Sequence, residues 1–338
     1  MKLYAWPLLL LLVVGCKSKY HIVYPVIETE PVRNADDAAD DIAIYIHPDD
    51  PDKQVIIGTN KQAGLVLYDN QGKIINEYPI GRINNVDLRQ QVDWNEEAIT
   101  IVGGSNRSNN SIVFYRLDEE EMTLEALHDQ PVFSRVNEVY GFCMYQSEEC
   151  YAFVVGKDGV VEQWLLRPKG NGMLRAEMVR SFDVGGQCEG LVADDGLKVL
   201  YVGEEAEGVW KYGAEPDQGE TRTKVELIRE NTRLKADIEG LTIYYKELNN
   251  GYLIVSSQGN NSYAVYDRQG DNRYLGSFKI KANDRFGGTS ETDGIDVTSK
   301  PFGAYPRGVF IAQDGNNGRA NQNFKVVDCQ EIERGISQ

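Results

Sequence analysis

Short apolar runs alternate with polar turns along this chain, and three kinds of run recur at a spacing of about 50 residues. In the first kind, polar and mostly acidic residues come directly before an apolar segment. Its six copies are DDIAI (40–44), NNVDL (84–88), VYGFC (139–143), CEGLV (188–192), IEGLT (238–242) and TDGID (292–296). Their shared apolar positions align at Ile44, Leu88, Phe142, Leu191, Leu241 and Ile295. The pattern predicts a structural unit that occurs six times.

Two further kinds of run follow each acidic segment. The second kind ends in small or polar turn residues, as in VIIGTN (55–60), ITIVGGSN (99–106) and VLYVGEEAE (199–207). The third kind alternates apolar and polar residues, as in SIVFYR (111–116) and SYAVYD (262–267), which is typical of half-buried strands. Several strands in each repeat predict an all-β fold, a six-bladed β-propeller. We expect a strand within residues 21–27 to complete the last blade and close the ring.

The first strand of each propeller blade lines the central channel, so the acidic segments should form a ring at one mouth. The acidic residues of this predicted ring are Asp40, Asp41, Glu189, Asp237, Glu239 and Asp293. Crowded carboxylates repel one another and are costly to bury. A divalent cation resolves this conflict, and a set of oxygen ligands without histidine favours Ca²⁺ over Zn²⁺.

Basic residues occupy the loops after the second strands. Lys61, Arg107 and Lys157 fall at equivalent positions in three consecutive repeats, and Glu204 and Glu205 occupy the matching loop of the fourth. Three cations beside a metal-binding ring suit an anionic ligand, for which phosphate is the leading candidate.

Composition excludes several other functions. The 338 residues include 35 Lys and Arg against 52 Asp and Glu, a net charge of −17, so we expect no nucleic-acid partner. The apolar content of 41% is sufficient for a large core. The chain contains three histidines and lacks an Arg-His-Gly run, which argues against a histidine acid phosphatase. It also lacks the G-x-S-x-G elbow of serine hydrolases and the Walker A motif of P-loop NTPases.

The N-terminus has the pattern of an export signal. Residues 1–16 combine Lys2, a short apolar core and Val-Val-Gly-Cys, which resembles a bacterial lipobox with Cys16 as the lipidated residue. We therefore expect a signal peptide over 1–16, a short tether over 17–25 and a single propeller domain over 26–338. The protein should be exported and held on the cell envelope, at the outer membrane or periplasmic face, by this lipid anchor alone.

Four further cysteines can form disulfides after export. Cys143 and Cys150 flank a polar turn between two apolar runs, which predicts a bridge across a hairpin. A bridge between Cys188 and Cys329 is a weaker alternative.

The motifs AADDIAI, TNKQAGL, NNVDLR, EVYGF, CEGLVADD, DIEGLTIYY and SSQGNNSYAVYDRQG resemble those of β-propeller phytases, over about residues 26–328. This resemblance implies a calcium-dependent phosphoric monoester hydrolase of the 3-phytase type, which acts as a monomer on the calcium complex of phytate (myo-inositol hexakisphosphate). It also implies several bound Ca²⁺ ions and direct attack by a metal-activated water.

The resemblance assigns residues to roles. The implied ligands of the catalytic calcium ions are Asp40 or Asp41, Glu189, Glu205, Asp237, Glu239 and Asp293. Tyr140 would line that site, while Lys61, Arg107 and Lys157 would bind the scissile phosphate. Glu28 and Asp314 match structural calcium ligands, and Arg82 would belong to a second phosphate site. Gln62 stands where the family has a second lysine, which puts that second site in question.

Two alternatives remain open on sequence grounds. One is another calcium-dependent propeller esterase, acting on lactones or phosphotriesters, although neutral esters need no cluster of basic residues. The other is a non-catalytic, lipid-anchored propeller that binds a phosphorylated ligand.

Overall fold

The computed structural model describes residues 19–336, without the side chain of Leu248. Six sheets of four or five strands surround a central channel, which confirms the predicted six-bladed β-propeller. Within each blade the strands follow one another in chain order, so turns between neighbouring strands account for most connections.

The strands are numbered along the chain. Two short strands come first, β1 (His21–Val23) and β2 (Ile27–Glu28). Blade one contains β3 (Ala39–Tyr45), β4 (Val55–Asn60), β5 (Gly64–Tyr68) and β6 (Ile74–Tyr78). Blade two contains β7 (Ile83–Trp94), β8 (Glu97–Asn106), β9 (Ser111–Asp118), β10 (Thr123–Ala126) and β11 (Val132–Phe133). Blade three contains β12 (Val139–Gln146), β13 (Cys150–Gly156), β14 (Val160–Pro168) and β15 (Leu174–Asp183).

The second half of the ring has the same plan. Blade four contains β16 (Cys188–Asp194), β17 (Val199–Glu204), β18 (Gly208–Gly213) and β19 (Arg222–Leu227). Blade five contains β20 (Ile238–Tyr245), β21 (Gly251–Ser257), β22 (Ser262–Asp267) and β23 (Tyr274–Ile280). Blade six contains β24 (Ile295–Val297), β25 (Val309–Asp314) and β26 (Asn323–Asp328), and helix α1 (Cys329–Ile336) follows. Short 3₁₀ helices lie at Pro51–Lys53, Pro216–Gln218, Ile228–Glu230, Glu247–Asn249 and Gln258–Asn260.

The N-terminal segment closes the ring with two strands, whereas the sequence suggested one. Strand β2 pairs antiparallel with β26 and becomes the outer strand of blade six. Strand β1 pairs in parallel with β23 and adds a fifth strand to blade five. The chain therefore ties its beginning to its last two blades, which covers edges that would otherwise be unpaired.

Each inner strand of blades one to five has a bulge at the same point. Its pairing with the second strand skips two residues, between Ala39 and Ile42 in blade one and between Cys188 and Leu191 in blade four. In the six blades, the apolar residues at the same pairing position against the second strand are Ile42, Val86, Phe142, Leu191, Leu241 and Ile295. The sequence alignment at Ile44 and Leu88 was thus two residues too far along in the first two blades.

The hydrophobic core lies between the blades. Each of the six core clusters in the described chain joins the facing sides of two neighbouring sheets. Between blades two and three, for example, Phe114, Phe142 and Trp164 pack together. Burial of each such side chain contributes roughly 1.5–3 kcal/mol, so adjacent blades hold one another in place.

The predicted disulfide between Cys143 and Cys150 is wrong, since both cysteines are free and buried. Cys150 pairs with Gln146, three residues beyond Cys143, and successive strand residues point to opposite faces. The two thiols therefore lie on opposite sides of blade three, in different core clusters. Cys188 and Cys329 are also free.

The predicted signal peptide and Cys16 lie outside the described residues. Between residues 19 and 336, no helix has the length and apolar character needed to cross a membrane.

Glycines next to the bulges allow the inner strands to approach closely. A Cβ added to Gly190 would lie 2.0 Å from the carbonyl oxygen of Glu239, on the next blade. A Cβ on Gly141 would meet the carbonyl oxygen of Glu189 at the same distance. Contacts below 3.0 Å with backbone atoms cannot be relieved by a side-chain rotation, so these positions require glycine.

We expect Gly190→Ala to lower the free energy of unfolding by about 3 kcal/mol, because it would force two inner strands apart. Gly276→Ala is the matched control, since a Cβ there meets no heavy atom within 4 Å. Urea denaturation of both variants measures the difference. Equal stability of the two variants would contradict the close approach of the inner strands.

Candidate active site

The bulges place one residue from each blade around one mouth of the channel. These six residues, here called the inner ring, are Asp40, Asn84, Tyr140, Glu189, Glu239 and Asp293. Four of the six are acidic, and they come from blades one, four, five and six. Blades two and three contribute the neutral side chains of Asn84 and Tyr140.

A second set of equivalent residues follows the second strand of each blade. This outer ring consists of Lys61, Arg107, Lys157, Glu205, Gln258 and Gly315. In each of the first five blades, its backbone N–H donates to a carbonyl oxygen two residues before the inner ring, as from Lys61 to Ala38 at 2.7 Å and from Glu205 to Gln187 at 3.0 Å. The two rings are thereby fixed to each other by backbone hydrogen bonds.

A cavity of about 640 Å³ opens at this mouth. Glu189, Glu205 and Glu239 line it, and one oxygen from each lies within 4.8 Å of the others. Oxygen atoms about 2.3–2.6 Å from a single Ca²⁺ ion have separations of this size. The described lining includes no histidine or cysteine, so its donors suit a hard divalent cation.

Burial and mutual repulsion disfavour ionisation of these carboxyl groups. The pKa values of Glu189 and Glu239 lie well above the ordinary value because both are buried and face other carboxylates. Burial and Asp40 raise the pKa of Asp293 to about 8, although Lys61 opposes the shift. Among the described side chains, the buried Oδ2 of Asp40 and Oε2 of Glu239 have no hydrogen-bond partner. Unpartnered oxygens of this kind are available to a metal ion.

Lys61 partly neutralises the acidic side of the mouth. Its Nζ lies 2.9 Å from Oδ1 of Asp40, 3.3 Å from Oδ2 of Asp293 and 2.7 Å from Oδ1 of Asp37. Burial alone would lower the pKa of this ammonium group, but Asp40 and Asp293 raise it above its ordinary value. One ammonium group therefore holds together carboxylates from blades six and one.

Arg107 and Lys157 flank the ring of Tyr140. The Arg107 guanidinium lies 5.7 Å from the ring centroid and the Lys157 ammonium 5.1 Å, both within cation–π range. Both cations also contact Glu138. The hydroxyl of Tyr140 lies near Glu189, and burial together with that carboxylate raises its pKa. Tyr140 thus connects the basic side of the mouth to the acidic side.

Three amide side chains complete the site by donating hydrogen bonds to its carboxylates. Asn84 donates from Nδ2 to Oε1 of Glu189 at 2.6 Å, and Gln187 donates from Nε2 to both oxygens of Glu205 at 2.9 and 2.8 Å. Gln258 donates to Oδ1 of Asp293 at 2.7 Å. Asn84 belongs to the aligned segment NNVDL but was given no role, and Gln187 and Gln258 were missed because charged residues were taken as the candidates.

The remaining predicted ligands of the mouth lie at different depths. Asp237 lines the cavity, and its carbonyl accepts the backbone N–H of Gln258 at 3.0 Å. Asp41 points into the channel, where its Oδ2 accepts from Asn85 Nδ2 and from the backbone of Val86, both at 3.1 Å. Glu204 is buried and accepts from the indole nitrogen of Trp210 at 2.7 Å.

The predicted structural ligands Glu28 and Asp314 do not line the mouth cavity but contact Lys325. The buried Nζ of Lys325 lies 2.6 Å from Oε2 of Glu28 and 3.6 Å from Oδ2 of Asp314. Asn317 accepts from the same ammonium at 3.0 Å. An internal cation therefore already balances these two carboxylates.

The two residues of the expected second phosphate site differ in their surroundings. Arg82 is exposed at the rim, where its carbonyl accepts the backbone N–H of Arg107 at 2.8 Å. The amide nitrogen of Gln62 donates to the carbonyl oxygens of Ala35 and Asp37, at 2.9 and 3.1 Å. Gln62 thus supports the loop that carries Asp37.

Comparison with known proteins shows which protein family this chain matches. A family model described as Phytase matches residues 8–338. A curated 3-phytase of Bacillus subtilis (strain 168) is 46% identical over 325 residues, which span 92% of this chain and 84% of the relative.

Similarity to solved structures is weaker. A protein of unknown function from Desulfotomaculum acetoxidans covers 70% of this chain, and 70% of its own length, with 14% identity and a TM-score of 0.46. A chain from a crystal structure of BBS1N in complex with ARL6DN covers 81% of this chain and 75% of its own length, with 12% identity and a TM-score of 0.49. Neither value supports a conclusion about function.

The acidic mouth should make the metal-free protein sensitive to alkali. Folding raises the pKa of Glu189 and Glu239, and that of Asp293 to about 8, so the folded state binds more protons than the unfolded state above about pH 4. Stability in chelator should therefore fall as the pH rises from about 4 to about 8. Glu239→Gln removes one of the repelling charges and should raise Tm in chelator at pH 8 by about 2–4 °C.

Thermal unfolding with and without a divalent cation measures this effect. The advantage of Glu239→Gln should vanish near about pH 3, where the carboxyl groups are largely protonated in both states, and should reverse at pH 8 when the cation is present. Glu97→Gln, in an exposed pair with Arg116, is the control. A variant less stable than the wild type in chelator at pH 8 would contradict the proposed repulsion.

Proposed function

The chain belongs to the phytase family and is a phytase, and we propose that calcium ions held by the inner ring support this activity on myo-inositol hexakisphosphate. The observation that supports calcium is the convergence of Glu189, Glu205 and Glu239 within 4.8 Å, with an unpartnered oxygen on Glu239. Calcium prefers about six to eight oxygen ligands, and Asp40 and Asp293 offer further ones nearby.

Bound calcium would supply positive charge to the phosphoryl oxygens and a water of lowered pKa. The ammonium group of Lys61 also contributes positive charge beside these ligands, because it contacts Asp40 and Asp293. Asp40 and Asp293 would help to hold a divalent cation, and Lys61 would then be available to a phosphate group of the substrate. The binding of metal and of substrate is then coupled through one side chain.

Arg107 and Lys157 are the remaining groups proposed to bind the scissile phosphate. Both lie at the outer-ring position and contact the face of Tyr140, so they present fixed positive charge beside the carboxylates. Fixed donors of this kind stabilise the charge that develops on a transferring phosphoryl group. Tyr140 keeps its proton, because burial and Glu189 raise its pKa, and it therefore does not act as a base.

The place of action is also a proposal. The lipobox-like sequence ending at Cys16 supports export and attachment to the cell envelope by a lipid. The net charge of −17 supports a substrate that arrives as a calcium complex, since free phytate would be repelled. We expect the enzyme to act as a monomer.

Phytate hydrolysis should depend on calcium. Release of inorganic phosphate should stop in excess chelator, return when Ca²⁺ is restored, and return less fully with an equal concentration of Mg²⁺, which demands a more regular ligand shell. Activity should also fade in acid, where the ligands are protonated. Unchanged turnover in strong chelator, confirmed by metal analysis of the protein, would refute the role of calcium.

Arg107→Met should lower kcat/KM for phytate by about a hundredfold, the effect expected from loss of one charge-stabilising donor. Arg116→Met is the matched control, because Arg116 also pairs with a glutamate but lies on the outer part of blade two. Steady-state kinetics on calcium–phytate measure both variants. If they retained equal activity, Arg107 would have no part in the reaction.

A further inference from the structure

Glu138 interacts with both cations that flank Tyr140. Its Oε1 accepts from Nε of Arg107 at 3.1 Å and lies 3.3 Å from Nζ of Lys157. Nη2 of Arg107 makes a further, shorter contact with the same oxygen. One carboxylate oxygen therefore lies between the two groups proposed to bind phosphate.

The two cations have other contacts that hold them at the mouth. Nη1 of Arg107 donates to Oδ1 of Asn84 at 3.2 Å, and its guanidinium lies beside Tyr140. The ammonium group of Lys157 lies over the same Tyr140 ring, 5.1 Å from its centroid. Glu138 is thus not required to keep either cation near the inner ring.

Glu138 is also the most accessible member of the group. Its side chain is 44% exposed, against 14% for Arg107 and 34% for Lys157. Ion pairs of exposed side chains contribute little to stability, so this carboxylate can leave at small cost. Because like charges at close range repel, a phosphate group and the Glu138 carboxylate cannot both occupy the space between the cations.

We propose that Glu138 is a displaceable competitor of the substrate, whose carboxylate occupies the position of a phosphate oxygen in the free enzyme and leaves when a phosphate ester binds. This inference rests on the proposed role of Arg107 and Lys157. A phosphate dianion forms stronger charge-assisted hydrogen bonds than a carboxylate and can replace it, whereas singly charged anions displace it less readily. Glu138 therefore weakens the binding of both substrate and inorganic phosphate, and it favours doubly charged ligands.

The variant Glu138→Gln tests the proposal, because it keeps the shape of the side chain and removes its charge. The KM for calcium–phytate and the inhibition constant of inorganic phosphate should both fall, by about threefold to fivefold. Glu97→Gln is the control, since Glu97 forms a comparable exposed pair with Arg116 away from the mouth, and it should change neither constant. A rise in both constants would overturn the proposal and make Glu138 a positioning residue, and no change would overturn it as well.

Direct binding of inorganic phosphate separates this proposal from the proposed function. Calorimetric titration of wild type and Glu138→Gln, with and without Ca²⁺, gives the dissociation constant of phosphate without any turnover. If turnover proved independent of calcium and of Arg107, the proposed function would fail. Tighter phosphate binding by Glu138→Gln would still support competition at this position, and equal or weaker binding would refute it.

Discussion

The close approach of the inner strands around the channel is the constraint on which the structure depends. At the bulges, the backbone of one blade bonds directly to that of the next, as in the bonds from Gly240 N to the Asp293 carbonyl at 2.8 Å and from Gly294 N to the Asp40 carbonyl at 3.0 Å. The residue that accepts such a bond is the same residue whose side chain belongs to the inner ring. The blades are therefore joined at the point where the site is built, and the acidic side chains cannot separate without breaking the ring.

This constraint has an electrostatic cost. Glu189 and Glu239 are buried and Asp293 is half-buried beside them, and within the described chain Lys61 is the cation that contacts the ring acids Asp40 and Asp293. Elsewhere the protein pairs its buried charges more completely, as where Arg268 donates two hydrogen bonds of 2.6 Å to Asp194 across blades four and five. Incomplete neutralisation at one place, in a fold that achieves it elsewhere, is typical of a site that receives a charged ligand.

The sequence alone predicted the six blades and the proximity of acidic and basic residues at one mouth of the channel, because both follow from an internal repeat that can be aligned. It did not predict which residue of a strand occupies the aligned position. Ile42 and Ile44 are both apolar and share one parity, so alternation could not choose between them. A bulge interrupts alternation, so Asp40 and Asp41 were indistinguishable although only Asp40 is in the ring. The prediction of a disulfide between Cys143 and Cys150 was wrong for a related reason. The side of the sheet on which Cys150 lies depends on its pairing with Gln146, which the sequence did not reveal.

The two neutral members of the inner ring explain how the acidic and basic sides of the mouth coexist. A carboxylate can only accept hydrogen bonds and a guanidinium can only donate them. The amide of Asn84 satisfies both, since its Nδ2 donates to Glu189 and its Oδ1 accepts from Arg107. An acid at this position would repel Glu189, and a base would repel Arg107. Blade two therefore carries an amide where blades four and five carry acids, and the mouth can hold metal-binding and phosphate-binding groups side by side without their neutralising one another.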